Sequence, residues 1–195
     1  MRLYIVRHGE TEYNKTRMIQ PEDSKLNEEG LDQAKKISQR LKDIKFDIIY
    51  TSPMERAHRT MREIAINHSQ TKIMVSELLS ETHTGELLGL SYNQARDIRH
   101  KHGFMEYKPK GGESLQDTFD RVEKFYKELL KNHEKDTVLI VTHGWPIIKI
   151  LHCIIGGDYN REFYDKHCHD NTGLSIIDIK SKSRKVHALN STEHL

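Results

Sequence analysis

Short apolar runs rich in β-branched residues recur at 3–6, 46–50, 72–75 and 138–142, each of a length that suits a buried strand. Between them the apolar residues change period. Leu31, Ala34, Ile37, Leu41 and Ile44 repeat every three or four positions, behind Asn27 as candidate cap and an acidic first turn. Ala57, Met61, Ile64 and Ala65 share one face within 56–67. Leu115, Phe119, Val122, Tyr126 and Leu130 do so within 114–130, where Ser114 is the expected cap. A further helix is expected over 145–155, with Pro146 in its first turn and Gly156-Gly157 as its stop. Later strands are expected over 174–179 and 186–189. Strand and helix alternate, which predicts an α/β fold: a three-layer sandwich with a mostly parallel central sheet flanked by helices. In such sheets ligands bind beyond the carboxyl ends of the strands.

The length of 195 residues suits one domain, and no Pro/Gly/Ser linker or internal repeat divides it, so a single domain over 1–195 is expected. Lys and Arg (31) nearly balance Asp and Glu (29), so no bulk field points to nucleic acid or to a membrane surface. No apolar run approaches the roughly 20 residues of a membrane helix. The N-terminus reads as a first strand and not as a leader. Two cysteines, Cys153 and Cys168, are too few for a secreted disulfide framework, which makes the cytoplasm the expected compartment.

Two strands run straight into the same dipeptide, at His8-Gly9 and His143-Gly144. Histidine at a strand's carboxyl end faces the expected cleft, and the following glycine lets backbone N–H groups approach an anion. Two unrelated strand-end histidines with turn glycines would give the same dipeptides, since the chain holds 13 histidines. Arg7 precedes His8, Asn14 follows it at short range, and Arg56 sits at the next strand-to-helix junction. Two guanidinium groups and two imidazoles at strand ends suit a phosphate, whose oxygens accept bidentate, charge-assisted bonds from arginine.

Arg7-His8-Gly9-Glu10-Thr11 with Asn14 resembles the signature of the histidine phosphatase (phosphoglycerate mutase-like) superfamily. Ser52-Pro53 with Arg56-Ala57 resembles its second arginine block, and Leu79-Ser80-Glu81 with Gly85 and Gly89 its glutamate block. Gly111-Gly112-Glu113-Ser114 with Arg121 resembles the block that opens its long helix, and Val141-Thr142-His143-Gly144 its second-histidine block. Asn171-Thr172-Gly173 resembles its last strands, so the likeness spans the chain in order. The resemblance implies a phosphoglycerate mutase-like fold and phosphoryl transfer through a phosphohistidine on His8. It implies that Arg7, Arg56 and His143 hold the phosphate, with Asn14 and the Gly144 amide nearby, and that Glu81 is the general acid and base. Glu77 and Glu86 are the rival carboxylates by sequence alone.

Between Asn14 and Leu26 the family's Gly-Arg-x-Gln-Gly-like stretch is replaced by Lys15-Thr16-Arg17-Met18-Ile19-Gln20-Pro21, one residue shorter. Arg17 and Gln20 are the candidates there for substrate contact. Glu81-Thr82-His83-Thr84-Gly85 lacks the basic-aromatic run of the mutase branch, which favours a phosphatase acting on small phosphorylated metabolites. A mutase and a non-catalytic phospholigand-binding protein remain the alternatives. The segment 90–110 is expected to form a helical lid, and its Arg96, Arg99, His100, Lys101, His102, Lys108 and Lys110 are candidates for reading a second anionic group or for a solvated basic face. His152-Cys153 and His167-Cys168-His169 are metal-ligand types, but neighbours in a strand point to opposite faces and no C-x-x-C or H-E-x-x-H spacing occurs. Neither metal nor cofactor is expected.

Overall fold

The computed structural model describes residues 1–157, 161–181 and 183–195, and of residues 161 and 162 the backbone alone. Strands β1 (Arg2–Arg7), β2 (Ile48–Thr51), β3 (Lys72–Val75), β4 (Thr137–Thr142), β5 (Leu174–Lys180) and β6 (Ser183–Ser191) form a single sheet in the order β3-β2-β4-β1-β5-β6. The first four of that order are parallel, whereas β5 and β6 add an antiparallel edge. The connecting helices are α1 (Glu12–Lys15), α2 (Glu28–Leu41), α3 (Glu55–Ala65), α4 (Tyr92–His102), α5 (Leu115–Asn132), α6 (Gly144–Ile155) and α7 (Arg161–His167).

The period of two along each strand explains why the central runs are continuously apolar. In β1, Leu3 and Ile5 join a core cluster with α5 and α6, while Tyr4 and Val6 join a second with α2 and α3. In β4, Val138 and Ile140 face the first layer, and Leu139 and Val141 the second. All eight are 5% exposed or less. Each such side chain contributes about 1.5–3 kcal/mol by leaving water, which makes the two central strands the rigid floor of the molecule.

Caps fall near where the residue types put them. The Asn27 side chain accepts from the Gly30 amide, so α2 starts three residues before its first periodic apolar position. Ser114 forms a reciprocal capping box with Asp117. Gly156, with φ +74°, ends α6. The 90–110 segment holds α4, whose Ser91 cap is boxed by Gln94. Among the described residues no helix is long and apolar enough to cross a membrane.

One expectation is corrected. The run 72–75 is a strand but not a buried one: among the described residues β3 pairs only with β2, and Ile73, Met74 and Val75 are 39%, 39% and 53% exposed. A four-residue apolar run does not say whether a strand is central or at an edge. Pairing decides that, and β3 has a neighbour on one side only.

Candidate active site

The parallel register brings the carboxyl ends of β1, β2 and β4 side by side, with Arg7 opposite Thr142 and Thr51 opposite Val141. His8 continues the ladder by donating its amide to Thr142 O at 2.9 Å, and Ser52 donates to Val141 O at 3.1 Å. As a result the His8 and His143 rings are 5.1 Å apart, centre to centre, and both residues are buried.

Their neighbours fix the tautomers. His8 Nδ1 lies 2.7 Å from the Gly9 carbonyl, which only accepts, so Nδ1 carries the proton and Nε2 keeps its lone pair. His143 Nε2 lies 2.8 Å from the Ser52 hydroxyl. With that hydroxyl donating, the His143 proton sits on Nδ1, a buried atom with no protein partner. Burial, then the charges of Arg56 and Arg7, hold the His8 pKa well below the ordinary imidazole value. Burial followed by Arg56, His8 and Arg7 does the same to His143. Both rings are therefore neutral near pH 7, as an imidazole nucleophile must be.

Arg56 enters from the first turn of α3 and is 1% exposed. Its Nη1 donates to the carbonyls of Pro21 (3.2 Å) and Glu22 (3.1 Å) and to Ser24 Oγ (3.1 Å). Burial lowers its pKa to about 10, which still leaves it charged near neutral pH. Arg7 donates from Nη1 to the His169 carbonyl. Neither guanidinium forms a carboxylate ion pair among the described residues. Arg7 Nε, Arg56 Nε and His143 Nδ1 are all buried without a partner among the described residues. A buried cation without counter-charge is costly, and unmatched donors of this kind suit the oxygens of an anion.

Glu81 lies on the irregular segment after β3, and its carboxylate reaches the start of α6. Its Oε2 accepts the Gly144 amide at 3.1 Å and its Oε1 the Trp145 amide at 3.3 Å, next to His143. The Gly144 amide is thus engaged by Glu81. The rivals lie elsewhere: exposed Glu77 accepts only from Ser80, and exposed Glu86 accepts from Tyr107 and the Lys110 amide.

Asn14 accepts at Oδ1 from Asn171, whose Nδ2 also donates to the His8 carbonyl at 2.9 Å, and Asn14 donates to the Tyr92 hydroxyl of α4 at 3.1 Å. Gln20 Oε1 accepts from Thr11 and from Ser24, the residue that holds Arg56. Arg17 is exposed, with φ +56°; its amide donates to the Asn14 carbonyl at 3.1 Å and its carbonyl accepts the Tyr92 amide at 2.9 Å. The basic residues of 90–110 are largely engaged within their own segment. Arg99 is buried and donates to the Tyr107 carbonyl, Lys108 pairs with Asp117, Arg96 lies 3.7 Å from Asp97, and His100 and His102 stack on Phe104 and Tyr107. Among the described residues, no three His, Cys, Asp or Glu side chains are grouped to hold a metal.

Sequence reasoning overlooked Ser52 as the partner of His143, Asn171 and Tyr92 around Asn14, and His169 beneath Arg7. Ser52 had a signal, since it follows β2 as His8 and His143 follow β1 and β4. The contacts of Tyr92 and His169 depend on tertiary approach and leave no local pattern.

Two neutral imidazoles 5.1 Å apart, with the buried Arg56 and the half-buried Arg7 close enough to depress their pKa values, stand at the strand ends of a mostly parallel sheet. The chain belongs to the histidine phosphatase superfamily (branch 1), whose family model matches residues 3–192. It is 31% identical over 207 residues to phosphoserine phosphatase 1 of Hydrogenobacter thermophilus, across 100% of this chain and 94% of that protein. It is 35% identical over 188 residues to a 2,3-bisphosphoglycerate-dependent phosphoglycerate mutase of Brucella ovis, across 90% of each. Among solved structures, a phosphoserine phosphatase mutant from Entamoeba histolytica in complex with phosphoserine superposes with a TM-score of 0.84 at 28% identity, covering 100% of this chain and 98% of that one.

Proposed function

We propose that the protein is a phosphatase that hydrolyses small phosphomonoesters through a phosphohistidine on His8. The observation that carries this is the pair of buried imidazoles, 5.1 Å apart, beside two guanidiniums that depress the pKa of both rings and whose Nε donors have no partner among the described residues. In the first step the lone pair of His8 Nε2 attacks phosphorus. The P–O bond to the alcohol breaks, and Glu81, protonated for this step, gives its proton to the leaving oxygen. In the second step Glu81 takes a proton from water. The water oxygen bonds to phosphorus, the P–N bond breaks, and phosphate leaves with His8 restored. Arg7, Arg56 and the Nδ1–H of His143 bind the equatorial oxygens in both steps, supplying the electrostatic stabilisation on which phosphoryl transfer depends.

Incubation with an activated aryl phosphate, quenched in base, is expected to leave acid-labile phosphate on His8. His8→Ala should lose it along with about a thousandfold or more in turnover. Wild-type turnover in that variant would sink the mechanism. Glu81→Gln should lower kcat/KM, which reports the first step alone, by about a hundredfold for alkyl esters and far less for activated aryl esters, because a good leaving group needs little protonation. A mutase is the second reading, favoured by the phosphoglycerate mutase among the relatives. Isomerisation of phosphoglycerates measured beside phosphate release separates the two.

A further inference from the structure

Glu81 belongs to no helix or strand; residues 80–84 follow a single 3-10 turn, Glu77–Leu79, as irregular chain. A proton donor works only within about 2.6–3.2 Å of its target, and a site is productive only if its groups are held within about 0.5 Å. Something must therefore immobilise this stretch. Arg121, on the second turn of α5, donates from Nη1 to the carbonyls of Leu78 (3.0 Å) and Ser80 (2.7 Å) and from Nη2 to that of Glu81 itself (3.0 Å). The remaining donors of its fork meet Glu113, Nε to Oε1 at 2.9 Å and Nη2 to Oε2 at 3.0 Å.

Glu113 completes the clamp from the other side. Its Oε2 accepts the His83 amide at 3.0 Å, and its own amide donates to the His83 carbonyl at 2.7 Å. Thr118 of α5 donates to the Thr82 hydroxyl at 3.0 Å. The backbones approach so closely that a Cβ at Gly112 would stand 2.5 Å from the His83 carbonyl oxygen. Burial, the largest single influence, works to raise the Glu113 pKa, but the bonds from Arg121 and the His83 amide outweigh it and leave it lowered. The clamp is thus a charged pair near neutral pH, and both partners are mostly buried.

We infer that Arg121, with Glu113, is a positioning residue for the acid: it holds the Glu81 backbone so that the carboxyl reaches the leaving oxygen and neither touches substrate itself. The inference rests on Glu81 being the acid. Arg121→Lys keeps the charge but removes the fork, so it cannot reach three carbonyls and a carboxylate together. Glu81 then loses aim while the phosphate pocket of Arg7, Arg56 and His143 stays. The value of kcat/KM, which reports the first step alone, should fall about tenfold on an alkyl phosphate and less than about threefold on an activated aryl phosphate. The double variant with Glu81→Gln should be no slower on the alkyl ester than Glu81→Gln alone, as expected of residues that act as a unit.

Equal slowing of both esters by Arg121→Lys, or slowing that adds to that of Glu81→Gln, would overturn the inference and leave Arg121 a purely structural brace. If Glu81→Gln itself slowed both esters equally, the acid assignment would fail first and carry the inference with it. Glu113→Gln, which keeps an oxygen for the His83 amide, is the second variant and should show the same selectivity in weaker form. Loss of the far-UV helix signal in both variants would also count against a role confined to positioning.

Discussion

At the scale of single residues, the state of His143 depends on the hydroxyl of Ser52. Ser52 Oγ accepts the Met54 amide at 3.2 Å, so its own proton is free for His143 Nε2, and the imidazole proton is left on Nδ1. Removing the hydroxyl leaves a buried ring nitrogen without its partner and frees His143 to take the other tautomer, which presents a lone pair where phosphate oxygens must bind. Ser52→Ala should therefore lower kcat/KM by about tenfold or more, near the 1.4 kcal/mol of one charge-assisted hydrogen bond. The effect should be alike on alkyl and aryl esters, because phosphate binding is common to both. Steady-state kinetics on the two esters check this, and a loss confined to alkyl esters would tie Ser52 to the acid instead. At this scale the site was largely legible. Arg7, His8, Arg56 and His143 each sit beside the end of a strand whose apolar run marks its position. Ser52 shares that address and stands in the second arginine block, but nothing local shows that its hydroxyl meets His143.

At the scale of elements, the sequence displays what each element buries but not how closely two elements approach. The helices over 28–41, 55–65, 115–132 and 144–155 follow from period and caps, and their bounds differ from expectation mainly where a cap lies outside the apolar stripe. The exposure of β3 and the antiparallel β5–β6 edge were not legible, because pairing partners are distant in sequence. Neither was the role of Gly30. Helix α2 packs its first turn against the loop that follows His8, and a Cβ on Gly30 would stand 2.1 Å from the Glu10 carbonyl oxygen. Reciprocally, a Cβ on Gly9 would be 2.4 Å from the Gly30 carbonyl oxygen. Both obstacles are backbone, so relief requires moving a helix or the nucleophile loop. Gly30→Ala is expected to destabilise the protein by about 3 kcal/mol despite alanine's better helix propensity, and to slow turnover by shifting His8. Urea denaturation and kinetics on one preparation test it, and a variant as stable as wild type would show that the loop yields.

At the scale of the whole molecule, the buried histidines couple the site to stability. His169 is 3% exposed, donates from Nδ1 to the His167 carbonyl at 3.0 Å and accepts from Ser175 at 2.6 Å, while its own carbonyl holds Arg7. Burial lowers its pKa to about 4, and burial likewise lowers those of His8 and His143. In the unfolded chain all three titrate near 6.5. Below that pH the unfolded state binds more protons than the folded one, so stability rises with pH. The contribution is complete above about pH 6.5 and is lost as pH falls toward the folded values. For His169 alone the loss between pH 7.5 and pH 5 is about 2 kcal/mol. The lowered carboxyl of Glu113 works in a more acidic window, below the ordinary carboxylate range, and does not confuse this one. Unfolding free energies from urea denaturation at pH 7.5 and pH 5.0 should therefore differ by at least that amount, and His169→Gln should remove about 2 kcal/mol of the difference. Inorganic phosphate should raise the midpoint at both values, since it binds the folded state through donors the protein leaves unmatched. Stability that stayed flat between pH 7.5 and pH 5 would mean that the buried rings accept protons in the folded state. The neutral imidazoles required for attack and for phosphate binding would then be lost with the same observation.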